Sequence, residues 1–257
     1  MALVQYESKE RIGYITLNRP EKRNALSPEM VTQLKDAFGS AESDESVKII
    51  VLRANGQTFC AGADLSYLQK LQKFTLEENL LDSQRLKDLF LQIYRSGKVV
   101  IAQVNGPALA GGCGLITICD FVFAVPEAKF GYTEVKIGFV PAIVMVFLLR
   151  KIGEARSKAL LLSGNLIGSD EAMRLGIVNK MVDKASLENE VYDFAQQLIT
   201  GASGQSLTMT KRMISQVQDM KLGEALDFAA HQNALARASA DCKKGIDAFL
   251  NRQELKW

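Results

Sequence analysis

Histidine is nearly missing from this chain: its 257 residues include one, His231. Cysteine is scarce as well, and the four present, Cys60, Cys113, Cys119 and Cys242, contain no pair separated by two residues. Neither a zinc-ligand pattern nor a disulfide framework can be read from such counts, so no metal and a reducing compartment are expected. No Gly-x-Ser-x-Gly segment occurs, which leaves His231 without a serine to activate and suits it to a helix surface or an interface. An excess of one charge sign is also absent. With 31 basic against 29 acidic residues, nothing calls for a nucleic acid or an anionic membrane surface, either of which favours a concentrated basic patch. The longest apolar run, Ile143–Leu149, is far too short to cross a bilayer, and the first residues show no basic segment followed by an apolar core. A soluble, cytoplasmic protein without membrane or nucleic-acid partners is the expectation.

What is present is a strand and helix rhythm. Residues 3–17 read as two strands with a turn near Lys9-Glu10, since Tyr14-Ile15-Thr16-Leu17 is rich in β-branched and aromatic side chains. Ser27-Pro28 reads as a cap followed by proline at the first helical position, and Val31, Leu34, Phe38 and Ala41 recur at helical spacing, predicting a helix to about Ser43. A strand at 47–52 and a helix from about Leu76 to Ser96 follow, then strands at 99–104 and 121–125 and a short extended piece at Lys129-Phe130. Helices are expected at 142–151, 154–163 and 169–175, the last with Ser169 as its cap and Asp170 and Glu171 in its first turn. From 186 to 250 the pattern is helical only, with breaks near 201–204, Gly223 and Ser239. An α/β body at 1–200 and a helical region at 201–257 are the expected division.

Two glycine-rich stretches stand out. Asn105-Gly106-Pro107-Ala108-Leu109-Ala110-Gly111-Gly112-Cys113-Gly114 follows the 99–104 strand and precedes Leu115–Cys119, which has room for a helical turn or two. A strand, a glycine turn and a helix start leave backbone N–H groups aimed at something anionic, or something that becomes so. A phosphate loop is excluded, because Gly106 and Gly111 are followed by Gly112-Cys113 where Lys and Ser or Thr are required. A dinucleotide fingerprint fails too, for want of a third glycine after Gly112-Cys113-Gly114. Close packing of strand and helix is the plain alternative use of such residues. The second stretch, Thr58-Phe59-Cys60-Ala61-Gly62-Ala63-Asp64-Leu65, again puts small residues before a helix start.

Taken with Asn18-Arg19-Pro20 and Asn24-Ala25-Leu26, the two stretches resemble the enoyl-CoA hydratase/isomerase, or crotonase, family, and the likeness runs from the first strands through Leu175-Gly176-Ile177-Val178 to the tail. It implies an α/β spiral of repeated β-β-α turns with a C-terminal helical region that mediates trimers, usually within a hexamer. It implies an acyl-CoA thioester as substrate, with coenzyme A part of that substrate and no separate cofactor. By position, the N–H groups of Ala63 and Gly111 would receive the thioester oxygen, and Glu134 would be the catalytic carboxylate. The first of the two glutamates that hydratases of the family commonly carry would fall at Gly114, where this chain has none.

A glycine there, with Thr133–Ala142 downstream, is similar to bacterial hydratases of methylglutaconyl-CoA and related branched substrates. Hydration of a branched enoyl-CoA by Glu134 alone is one reading. Double-bond isomerisation, which needs a single base, is another, and a non-catalytic acyl-CoA or RNA-binding role is a third. The same positional reading gives substrate contacts to Arg23, Ala25, Ala61, Asp64, Leu65, Tyr67, Gly114, Tyr132 and Pro141. Several have ordinary uses: Asp64 as a helix cap, Tyr67 and Tyr132 as tyrosines with satisfied hydroxyls, Arg19, Lys22 and Arg23 as a solvated basic loop. Phe249 and Arg252 are candidates to reach a neighbouring subunit's CoA. Cys60 and Cys113 read as small hydrophobes, and 143–149 as a buried helix or an acyl-pocket wall.

Overall fold

In the computed structural model, which describes residues 2–257, β1 (Val4–Lys9) and β2 (Ile12–Leu17) pair antiparallel. Their turn is Glu10-Arg11, both at positive φ, the geometry that two-residue hairpins need to match strand twist. Helix α1 (Pro28–Ser43) starts where expected, with Ser27 Oγ accepting the Met30 N–H at 3.2 Å. It buries Met30, Leu34, Phe38 and Ala41 and packs on β1 and β2. Strand β3 is Ile49–Ala54, two residues later than the sequence pattern suggests, because Val47 packs beside Gly13 instead of entering the ladder. Helices α2 (Leu65–Leu71) and α3 (Leu76–Arg95) follow, the latter opened by a Thr75/Glu78 capping box.

Next come β4 (Val99–Val104), a two-residue strand β5 (Ala108–Leu109), α4 (Gly111–Thr117), β6 (Phe121–Ala124) and β7 (Lys129–Gly131). A 3-10 turn at Glu134–Ile137 leads into α5 (Ala142–Ile152) and α6 (Glu154–Ser163). Then β8 (Ile167–Gly168), α7 (Ser169–Leu175) and β9 (Lys180–Met181) complete the strand-bearing part. The last four helices are α8 (Leu187–Gly201), α9 (Gly204–Val217), α10 (Leu222–Ala238) and α11 (Ala240–Leu250).

Six strands form one sheet in the order β1-β2-β3-β4-β6-β9, parallel from β2 onward, and β5-β7-β8 form a second small sheet. All six residues of β2 are buried, as expected of a strand in a parallel sheet covered on both faces. Helix α8 buries Leu187, Val191, Ala195 and Ile199 and packs on β3, β4 and β6. Helices α9 and α10 bury no residue fully, and Leu222, Leu226, Leu235, Phe249 and Leu250 are exposed.

Three local expectations need correction. The glycine stretch does not merely precede its helix: Gly111 through Gly114 are helical, so the helix begins four residues before Leu115. Ser169 is the first helical residue and not the cap. Its hydroxyl instead donates to the Val125 carbonyl at 2.6 Å, tying α7 to the end of β6. Gly223 lies inside α10, whose cap position is Lys221. The two-residue strands β5, β8 and β9 are too short for any alternation to announce them.

Candidate active site

The centre of the site is set by a ladder. In the small sheet Ala108 pairs with Phe130 and Leu109 with Gly131 in parallel register, and the Ala110 N–H extends the pairing to the Gly131 carbonyl at 2.7 Å. The two chains leave that ladder side by side. One continues into Gly111, the first residue of α4, and the other reaches Glu134 three residues later. At Ala110 the backbone turns sharply, with φ 48° and ψ −122°, a conformation that costs an alanine on the order of 1–3 kcal/mol and persists only where its surroundings enforce it. The turn frees the Gly111 N–H, which finds no acceptor among the described residues.

A second free N–H comes from the 58–64 loop. Leu26 bridges this loop, its N–H donating to Gly62 O at 2.7 Å and its carbonyl accepting the Asp64 N–H at 3.0 Å. Ala63 lies between those bonds with its own N–H unused and its surface exposed. Glycine is required beside it: Gly62 has φ +87°, and a Cβ there would lie 2.9 Å from Ala110 Cβ, 3.0 Å from Leu109 O and 3.7 Å from Gly111 N. Two unpartnered donors therefore stand on adjoining loops around Leu26, whose side chain a Cβ on Gly111 would meet at 3.1 Å. Gly112 lets the loops close, since a Cβ on it would be 2.3 Å from Cys60 O.

Glu134 supplies the only orphaned acid oxygen among the described residues: its Oε2 is buried and without a hydrogen-bond partner. Burial raises the Glu134 carboxyl pKa, opposed only by its own backbone N–H. No second charge is among the causes of that shift. The position of a first acid is closed. Gly114 is buried, and a Cβ there would meet Val144 Cγ1 at 2.3 Å and Phe90 Cε1 at 2.7 Å. Helices α3 and α5 thus press onto α4 at a point where any side chain collides, and Phe147 and Tyr94 back Phe90 in an aromatic stack.

The other sequence-predicted positions divide into groups. Asp64 is buried and caps α2, accepting from the Ser66 N–H at 2.8 Å and the Tyr67 N–H at 3.2 Å while pairing with Arg19 at 2.6 Å. Those bonds, the Ser66 hydroxyl foremost, hold its pKa below the usual carboxylate value. Leu65, the next residue, is 69% exposed at the foot of α2. Tyr67 donates to Asp82 on α3 at 2.5 Å, and burial pushes its pKa up. Ala61 donates its N–H to the Arg23 carbonyl at 3.0 Å, so Ala25, Arg23 and Ala61 adjoin beside Ala63. The Arg23 side chain is exposed and makes no ion pair among the described residues.

Tyr132 has no exposed surface and bonds Thr117 Oγ1 at 2.7 Å, which places it behind α4 and not at an open pocket wall. Gly114 is likewise beneath the surface. Pro141 caps α5 and is partly exposed. Burial pushes the Cys60 and Cys113 thiols up to about 12, so neither is a nucleophile at neutral pH. His231 and Phe249 are exposed on α10 and α11. Leu26, Ala110, Phe90 and Val144 belong to the site but were not legible as such. Phe90 and Val144 carry only the signal of core periodicity, and Ala110 shows its role only through its dihedrals.

An α/β enzyme is defined by this arrangement: two free backbone donors able to polarise a carbonyl oxygen, and one half-buried carboxylate able to move a proton. Comparison with known proteins agrees. The family model described as enoyl-CoA hydratase/isomerase matches residues 7–257. A Thermus thermophilus protein provisionally named an enoyl-CoA hydratase is 41% identical, with 98% of each chain covered. The crotonyl-CoA hydratase of Syntrophomonas wolfei is 33% identical over 96% of this chain and 95% of its own. An enoyl-CoA hydratase crystal structure from Mycobacterium smegmatis superposes with a TM-score of 0.94 at 30% identity, covering 99% of this chain and 98% of that one. The chain belongs to the enoyl-CoA hydratase/isomerase family, and its α/β body with a C-terminal helical region is the crotonase fold.

Proposed function

We propose that the protein hydrates the double bond of an enoyl-CoA, using Glu134 as its only acid–base group. The observation that supports this reading is a buried Glu134 Oε2 and two N–H groups, at Ala63 and Gly111, all without partners among the described residues, on segments that the β5–β7 ladder and the close approach of Gly62 to Ala110 hold together. The thioester oxygen accepts both N–H bonds, which stabilise the negative charge that gathers on it. Glu134 takes a proton from water as the hydroxyl oxygen bonds to the β-carbon, and the resulting enolate then receives that proton from Glu134 at the α-carbon. The product is the 3-hydroxyacyl thioester, and the carboxylate is restored. Its raised pKa suits the return step, because a stronger base holds the proton until the carbon is ready.

A branched substrate carrying a distal carboxylate, such as 3-methylglutaconyl-CoA, fits a site with one protein acid, since the substrate brings a polar group of its own. Coenzyme A is part of the substrate and no separate cofactor is needed. Arg23, which makes no ion pair among the described residues, would meet CoA phosphate beside Ala25, Ala61 and Leu65. The exposed leucines and Phe249 of α10 and α11 suit burial against other copies, as a trimer or a dimer of trimers. Isomerisation of a 3-enoyl-CoA is the second reading, favoured by the closed position at Gly114, because shuttling one proton between two carbons needs no water and no second acid.

The deciding experiment measures turnover of 3-methylglutaconyl-CoA, crotonyl-CoA and a 3-enoyl-CoA by the native protein. Hydration of either 2-enoyl ester above the 3-enoyl ester upholds the proposal. Turnover confined to the 3-enoyl ester replaces it with isomerisation.

A further inference from the structure

Lys151 is a cation that the proposed chemistry does not use, and it lies along the last turns of α5 against the far end of α4. Its Nζ donates to the Thr117 carbonyl at 3.1 Å and the Cys119 carbonyl at 2.9 Å, the acceptors left open where α4 ends. The groups facing it are Asp120 and the neutral thiols of Cys113 and Cys119, with Lys211 of α9 beyond them against Cys119 and Asp120. Asp120 is itself committed: it accepts the Val100 N–H at 2.7 Å and pairs with Lys211 at 2.7 Å, while Lys211 also donates to the Lys98 carbonyl. A buried ammonium is an expensive way to finish a short helix, since a glycine or water satisfies the same carbonyls without desolvating a charge. Its presence calls for a use of the charge itself.

We infer that Lys151 is a positioning residue for the reaction: it fixes α4 from behind and places a positive charge there that favours negative charge on the thioester oxygen at Gly111. This rests on the reading of Ala63 and Gly111 as the donors to that oxygen. Helix α4 has seven residues and so spans about 10 Å at 1.5 Å per residue. A unit charge acting over that distance through a water-poor interior is large enough to change an oxyanion's stability by roughly tenfold. Because the charge develops mainly after binding, the effect belongs to kcat and not to KM.

Acetoacetyl-CoA is the probe, since its enolate absorbs in the ultraviolet and its bound pKa reports directly on stabilisation of the oxyanion. The variants are Lys151→Gln, which keeps donors without charge, Lys151→Met, which keeps the stem alone, and Lys151→Arg, which keeps the charge. Only protein that is folded and holds the ligand contributes to the signal. The expected result is a bound pKa raised by about one unit in both neutral variants, a roughly tenfold fall in kcat for the preferred enoyl-CoA with KM little changed, and near-native values in Lys151→Arg. A bound pKa unchanged in Lys151→Gln, or changed equally in Lys151→Arg, would overturn the role of the charge. If Lys151→Gln and Lys151→Met fail to fold, Lys151→Arg decides alone: native bound pKa and kcat uphold the charge, and a shifted pKa overturns it. Native protein that leaves the pKa of acetoacetyl-CoA at its free value overturns the donor reading of Ala63 and Gly111 instead.

Discussion

Ala110 donates its N–H to the Gly131 carbonyl at 2.7 Å, and through that bond the start of α4 and the segment carrying Glu134 are held as one piece. The donor at Gly111 is one residue beyond Ala110, and the carboxylate is three beyond Gly131. Neither can shift without straining the same ladder, so the Gly111 N–H and the Glu134 carboxylate keep a fixed relation. The predictions below follow from that rigidity and from what surrounds it.

Replacing Glu134 by Gln removes proton transfer and leaves both backbone donors in place. Turnover of the preferred enoyl-CoA is expected to fall at least about a hundredfold, the lower range for a positioned acid or base, while binding of the ester persists. Steady-state rates and titration calorimetry on Glu134→Gln check this; unchanged turnover would remove Glu134 from the chemistry.

The same substitution has an opposite effect on stability. Burial raises the folded-state pKa of Glu134 above its unfolded value, so the folded chain binds this proton more readily than the unfolded one. The associated stability is complete below the unfolded pKa and is lost as pH rises through the folded value. Glu134→Gln, which stays neutral, is therefore expected to melt higher than native protein at neutral pH, with the gap closing near pH 4 and below. Thermal melts across pH test the sign directly. Enoyl-CoA turnover should in turn decline with acidification from a pH above the ordinary carboxylate range.

Adding a side chain at Gly114 is expected to destabilise the fold by about 1–3 kcal/mol, as overpacking does, since Val144 and Phe90 occupy the space. Gly114→Glu alone should not gain crotonyl-CoA hydration. Pairing it with Val144→Ala, which removes the nearest atom, is expected to recover stability relative to Gly114→Glu. Denaturation midpoints of the two single variants and the pair give the coupling; additive effects would mean that the helices simply move apart.

Asp64 joins a helix cap to an ion pair with Arg19. Asp64→Ala should cost about 1 kcal/mol as a lost cap and loosen α2 beside Ala63. The expected kinetic signature is a raised KM for the CoA ester with a smaller change in kcat. Equal losses in both would instead place Asp64 among groups that act only in the transition state.

The elements that could be read from the sequence are those whose patterns are local. Helix α1 announces itself through Ser27, Pro28 and a clean apolar stripe, and it runs to Ser43 as expected. Glycines and small residues at 58–65 and 105–114 pointed to the two loops that the structure brings together. What they did not reveal was which glycine does what. Gly62 meets a backbone turn, Gly112 a neighbouring carbonyl and Gly114 two side chains from other helices, and only tertiary contacts distinguish these. Strand β5, with two residues, carries no periodicity, yet its last pair, Leu109 with Gly131, sets Gly111 two residues and Glu134 three residues beyond the same ladder. Phe90 and Val144 looked like any core residue because they are core residues, and their hold on position 114 comes from where three helices cross.

That crossing also bears on how the protein can change. A carboxylate at 114 is one substitution away in sequence, yet its intermediate is a chain whose α3, α4 and α5 no longer fit, with native stability of only about 5–15 kcal/mol to absorb the damage. A lineage that gains a carboxylate at 114 carries that cost unless Val144 or Phe90 has changed first. Residues packed behind α4 therefore set the cost of each side chain that position 114 can take on by mutation.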